Sequence, residues 1–144
     1  MNSVGKNISI LYRQFNAFLN HELENSELNA QELMYLGFLY EKDGISQDTL
    51  ASEFCIDKAA VARTMQAMEK KGIVKRIEDI SDRRAKSVCL TDKAYEYKSQ
   101  IEQIQEKWLA VCDIGLSAGA MQKFEDQINR MTERVIRSNR GTKV

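Results

Sequence analysis

The sequence predicts a mainly α fold carrying one β-hairpin, on three observations. Apolar residues recur at three- and four-residue spacing through most of the chain, the repeat of one helix face. None of the 144 residues is a proline, so no helix is interrupted by one. The two clearest strand-like runs, Ile73-Val74-Lys75-Arg76-Ile77 and Lys86-Ser87-Val88-Cys89-Leu90, flank a polar loop and read as paired strands.

Taken in order, residues 7–24 read as a first helix. Ile8, Leu11, Tyr12, Phe15, Phe18 and Leu19 form its apolar stripe, which reads as core. Asn29 opens a second helix, with Glu32 at the capping-box distance. Leu33, Leu36, Phe38, Leu39 and Tyr40 supply its apolar content. Lys42-Asp43-Gly44 is a turn, and Ile45 a very short strand. Ser46 caps a short third helix running to about Glu53, with Leu50, Ala51 and Phe54 inward. After a break at Cys55-Ile56, Asp57 caps a fourth helix that Gly72 ends. Its apolar face is Val61, Met65 and Met68, while Lys58, Ala59, Ala60, Arg63 and Gln66 lie largely off it.

The loop between the strands, Glu78 to Ala85, has a polar tip carrying Arg83 and Arg84. Thr91 caps a long helix, in which Ala94, Tyr97, Ile101, Ile104, Trp108 and Val111 recur at heptad spacing. Ser117 caps a last helix with Met121, Phe124, Ile128, Met131 and Val135 on one face. These two faces exceed what a small domain can cover, so they predict a dimer interface that includes Ile104 and is aided by the first helix. The basic tail from Arg137 to Val144 reads as frayed.

Net charge is zero, but its distribution is uneven. Residues 1–53 hold three basic and eight acidic side chains, residues 54–93 ten and six, and residues 94–144 eight and seven. Positive charge therefore gathers around the fourth helix and the hairpin, where contact with phosphates would need it. No apolar run approaches the roughly 18 residues of a membrane span. The N-terminus shows no basic segment leading into an apolar core, so the expectation is a cytoplasmic protein. Cys55, Cys89 and Cys112 are scattered and odd in number, which fits a reducing compartment rather than a disulfide framework. The single histidine, His21, has no ligand spacing around it, so no metal is expected. No cofactor is expected either. The chain lacks a glycine-rich phosphate loop and any Ser/His/Asp or Cys/His constellation, so no enzyme is expected.

Two short helices joined by a tight turn, the second cationic, make a helix-turn-helix, and the hairpin after it makes a wing. The fourth helix, residues 57–71, is then the element presented to a major groove. The wing, residues 73–90, would set arginine in a narrow minor groove, whose negative potential draws guanidinium in. The fold class is thus mainly α: a winged helix-turn-helix of order α-α-α-α-β-wing-β-α-α with a helical dimerisation region. The competing function is a winged helix that binds protein without sequence-specific DNA binding; the arginines at the wing tip favour DNA.

The chain also resembles the MarR family of bacterial transcription regulators over nearly its whole length. The most specific part is Asp82-Arg83-Arg84-Ala85-Lys86-Ser87-Val88-Cys89-Leu90-Thr91, similar to that family's wing signature. Asp57 to Arg63 and Met68 to Val74 are also similar. Ala62 stands where the family usually has Ser or Thr, and Ala94 where it has Gly.

The resemblance implies one domain over 1–144, with a DNA-binding lobe at 28–92 and a helical dimerisation region at 1–27 and 93–144. It implies a homodimer on a pseudo-palindromic operator, usually a repressor released by a small ligand or an oxidant. Arg83 would enter the minor groove, and Arg84 would pair with Asp82 or contact phosphate. Arg63 would touch base edges or phosphate, beside the small Ala59. Ser46, Gln47 and Lys58 would hold phosphates, and Arg76 and Lys86 would contact phosphate or be solvated. An aromatic effector pocket would draw on Tyr12, Phe15, Phe38 and Tyr95, for each of which packed core is the plainer reading. The family's reactive first-helix cysteine has no counterpart here, and an apolar strand position argues against Cys89 as a substitute.

Overall fold

The computed structural model describes residues 3–82 and 85–141. Its elements are α1 (Ser3–Glu22), α2 (Ala30–Leu39), β1 (Ile45–Ser46), α3 (Gln47–Phe54), α4 (Lys58–Lys70), β2 (Val74–Glu78), β3 (Lys86–Leu90), α5 (Asp92–Glu96), α6 (Lys98–Val111) and α7 (Ala118–Gly141). The fold is mainly helical, with a three-stranded antiparallel sheet in the order β1-β3-β2. Two compact units divide it, Met1–Trp108 and Leu109–Val144.

In the first unit α2 is central, with Leu33, Tyr35, Leu36 and Leu39 all buried. Its capping box forms: Asn29 Oδ1 accepts from Glu32 N at 2.9 Å, and Glu32 Oε2 accepts from Asn29 N at 2.9 Å. Around α2 gather Leu50 of α3, Val61, Met65 and Met68 of α4, and Val88 of β3, all fully buried.

The α3–α4 turn is closed by Cys55, a non-glycine residue in the left-handed region at φ +52°. Ile56 N donates to Ala51 O and Cys55 N to Ser52 O, the two bonds of a Schellman end. Asp57 caps α4, its Oδ2 accepting from Ala59 N at 3.0 Å and Ala60 N at 3.3 Å. The far end of α4 uses the same motif with glycine: Gly72 has φ +73°, Gly72 N bonds Glu69 O, and Ile73 N bonds Met68 O. This left-handed residue reverses the chain directly into β2. Across the hairpin Val74 faces Leu90, Arg76 faces Val88 and Glu78 faces Lys86. Asp43 Oδ1 accepts from both Gly44 N and Leu90 N at 2.8 Å, fastening the turn before β1 to β3.

Several expectations are corrected. The N-terminal half of α1 is not core: Ile8 and Leu11 are exposed and Tyr12 is 69% exposed. Burial begins only where Phe15 and Phe18 reach Trp108, at ring distances of 4.7 and 5.3 Å. The helix expected to run unbroken from Thr91 is split at Tyr97 into α5 and α6. Thr91 makes no side-chain cap; its hydroxyl lies 2.6 Å from Gly72 O and 2.9 Å from Ile73 O, binding the start of α5 to the end of α4. Ala94, Ile101 and Ile104 are buried within this chain, so Ile104 belongs to the core and not to a free face. In the second unit, Ser117 Oγ caps α7 through Ala120 N at 3.2 Å. That helix extends to Gly141, so Arg137 to Arg140 of the basic tail are helical, and Thr142 to Val144 lie outside the described residues. Arg137 pairs with Glu133 one turn back, and basic residues in a last turn suit the negative end of the helix dipole.

A polar clasp holds α2, α4 and α5 together. Glu32 is 1% exposed and receives Lys71 Nζ at 2.7 and 2.9 Å, while the same ammonium donates to Glu27 O at 2.6 Å. Lys93 Nζ donates to Lys71 O and to Glu27 Oε2, and the Tyr97 hydroxyl donates to Glu27 Oε2 at 2.6 Å. The Tyr97 hydroxyl first, and Lys93 second, hold the Glu27 carboxyl below its ordinary range. Its contribution is complete above the ordinary carboxylate pKa and is lost as pH falls through the lowered value.

Candidate nucleic-acid interface

The solvent side of α4 follows from its buried side. With Val61, Met65 and Met68 inward, Ala59, Arg63, Gln66 and Lys70 fall at 4-, 3- and 4-residue steps on one stripe, and all four are exposed. Among the described residues, none makes an ion pair or side-chain hydrogen bond to the side chain of Arg63. The stripe offers a guanidinium fork, an amide and an ammonium, with only a methyl group at Ala59 to limit approach. Gln66 and Lys70 join Arg63 here; the helical period alone would have found them.

The other expected residues stand differently. Ser46 caps α3: its Oγ accepts from Thr49 N at 3.0 Å and lies 2.8 Å from Thr49 Oγ1. Gln47 is half-buried, with its Oε1 enclosed and, among the described residues, without a hydrogen-bond donor. Lys58 is exposed at the start of α4 but pairs with Asp48 at 2.7 Å, the two side chains 70% and 67% exposed. Asp57 engages the Ala59 and Ala60 amides, so that helix end already holds a carboxylate.

Arg76 is not a solvated strand cation. Its Nε and Nη2 lie 2.9 and 2.7 Å from Glu69 Oε2, and the side chain is 16% exposed. The Arg76 guanidinium first, helped by its backbone N–H and by Lys86, holds the Glu69 carboxyl below its ordinary range against some desolvation. Glu69 was the missing partner, seven residues earlier in the sequence. Lys86 is half-buried at the start of β3.

At the wing, Asp79 N bonds Ala85 O, and Ala85 N bonds Asp82 O at 3.0 Å. Asp79 Oδ1 accepts from the Ser81 hydroxyl at 2.7 Å and amide at 2.9 Å; the hydroxyl first, then the amide, keep its carboxyl below the usual range. Asp82 is exposed. Arg83 and Arg84 lie outside the described residues.

The four aromatics expected to line a pocket each have separate surroundings. Tyr12 is exposed on α1, Phe15 packs on Trp108, Phe38 lies edge-on to Phe54 at 5.5 Å, and Tyr95 stacks near Tyr40 at 5.8 Å. His21 is exposed, and Cys55, Cys89 and Cys112 are free thiols. Among the described residues no helix is long and apolar enough to cross a membrane.

Helix-turn-helix, wing and flanking helices together define a winged-helix regulator fold. The family model for the MarR family matches residues 28–86, from the end of the α1–α2 connection to the first residue of β3. A MarR transcriptional regulator from Methanosarcina mazei Go1 is 28% identical, with 93% of this chain and 96% of that chain covered at a TM-score of 0.83. The transcriptional regulator SlyA is 25% identical over 93% and 94% of the two chains, with a TM-score of 0.83. A MarR-family regulator from Listeria monocytogenes, solved with a 26mer DNA, shares the fold at 21% identity, a TM-score of 0.86 and coverage of 94% and 90%. The chain therefore has the fold of MarR-family transcriptional regulators.

Proposed function

We propose that this protein is a homodimeric, sequence-specific DNA-binding regulator of transcription acting in the cytoplasm, a repressor released by a small aromatic effector. The exposed stripe of Arg63, Gln66 and Lys70 beside a wing hairpin carries this reading, because it leaves donors on α4 for base edges. The lobe 28–92 reads the DNA: α4 enters the major groove, Arg83 would reach the minor groove from the wing, and Arg84 would pair with Asp82 or contact phosphate. Ser46, Gln47, Lys58 and Lys86 would be the phosphate contacts that fix register. The regions 1–27 and 93–144 form the dimer. Support for that comes from exposed Ile8, Leu11 and Tyr12 on α1, and from exposed Phe124, Ile128, Met131 and Val135 on α7. Repression follows when the bound dimer blocks a promoter, and a small aromatic effector would release it.

The test is selection of bound duplexes from a random pool. Enrichment of an inverted repeat, with half-sites about one helical turn apart, is expected. No enrichment by folded protein would shift the reading to a protein-binding winged helix.

Asp48 gives a second prediction. Its carboxylate occupies Lys58 and would repel phosphate, and exposed ion pairs are weak. Asp48→Asn should tighten binding to the selected duplex roughly two- to fivefold. Unchanged affinity in a titration would remove Lys58 from the phosphate contacts.

A further inference from the structure

Glu69 and Arg76 join the last full turn of α4 to the first wing strand at three points. Glu69 Oε1 accepts from the Arg76 backbone N–H at 3.2 Å, and Oε2 accepts from Nε at 2.9 Å and Nη2 at 2.7 Å. The connection between them is the tight reversal at Gly72, so the side-chain bonds close a short ring across the corner. One carboxylate grips both the backbone and the guanidinium of β2. Two of the guanidinium's nitrogens are engaged and the side chain is largely enclosed, which leaves it poorly placed to hold a phosphate.

We propose that Glu69 and Arg76 are positioning residues that fix the angle between α4 and the wing, so that both elements reach their grooves together. This rests on the DNA-binding reading above. A five-residue strand extends roughly 16 Å. A tilt of about 10° at its root therefore carries the tip roughly 3 Å, enough to unseat a groove contact.

The sign of one substitution separates a strut from a contact. Removing an acidic side chain near a polyanion should strengthen binding by Coulomb's law. A strut predicts the opposite. Titrations of the selected duplex would compare wild type with Glu69→Ala, Glu69→Gln, Arg76→Ala and the Glu69→Ala/Arg76→Ala pair, with circular dichroism and melting as the folding check. Glu69→Ala and Arg76→Ala should each weaken binding about tenfold, the size of one lost base-pair contact. The double variant should be no weaker than either single. Glu69→Gln retains an acceptor for the Arg76 amide and should fall between. Repeated selection with Arg76→Ala should keep the preferences at the centre of each half-site and relax those at the wing-contacted flank.

Glu69→Ala binding as tightly as wild type or tighter, an additive double variant, or uniform loss across all positions would overturn the strut while leaving DNA binding intact. Wild type that enriches no duplex would overturn the DNA-binding reading, and the strut with it.

Discussion

Replacing Glu32 by alanine should destabilise the fold by about 3–4 kcal/mol and lower Tm by roughly 10 °C. Two effects add. The substitution removes one half of the capping box, which exposes the Asn29 amide of the α2 entry. It also strips Lys71 of its carboxylate. Breaking a buried pair from one side is costly because the other charge stays desolvated. Lys71 is 32% exposed and keeps its bond to Glu27 O, so the loss sits at the lower end of that range. Glu32→Gln separates the effects, since glutamine at this position can still bond the Asn29 amide. Its Tm should lie between those of wild type and Glu32→Ala. Equal melting of Glu32→Ala and wild type would show that the pair carries no net stability.

Arg63→Ala should weaken operator binding by about 1–3 kcal/mol, roughly 5- to 150-fold, with stability unchanged within about 0.5 kcal/mol. Both halves rest on the same observation: the side chain stands on the exposed stripe with no partner within the described chain. No described side chain holds it, so its guanidinium fork can meet a guanine edge bidentately. Arg63→Lys keeps the charge but loses the fork, so it should recover phosphate attraction without base preference. Titrations of the selected duplex and of a duplex altered at single positions check this. If Arg63→Ala binds every duplex like wild type, α4 does not read sequence.

Much of the first unit was legible because its signals are local. The capping box of Asn29 and Glu32, the Asp57 cap, the buried face of Val61, Met65 and Met68, and the reversal at Gly72 each involve residues within about two turns of each other. The second wing strand falls at Lys86–Leu90, as expected of the partner strand, and the first, read from its β-branched run at 73–77, is shifted by one residue to Val74–Glu78. The basic concentration near α4 was visible as charge counts, and the wing motif as a resemblance.

What stayed hidden depends on partners distant in sequence. Arg76 reads as a strand cation until Glu69 is seen gripping it from the helix before the turn. Lys58 reads as free until Asp48 of α3 lies beside it. The heptad of Ala94, Ile101 and Ile104 is the same pattern whether it meets another copy or this chain's own core; only packing shows that it meets the core. The break at Tyr97 follows from no local stop signal, and there the tyrosine hydroxyl is bound to Glu27, seventy residues away. Sequence period determines which side chains share a face, because that is backbone geometry. Which of those faces is covered, and which charges remain uncommitted, is decided by tertiary structure, because burial and ion pairing depend on what chain folding brings alongside.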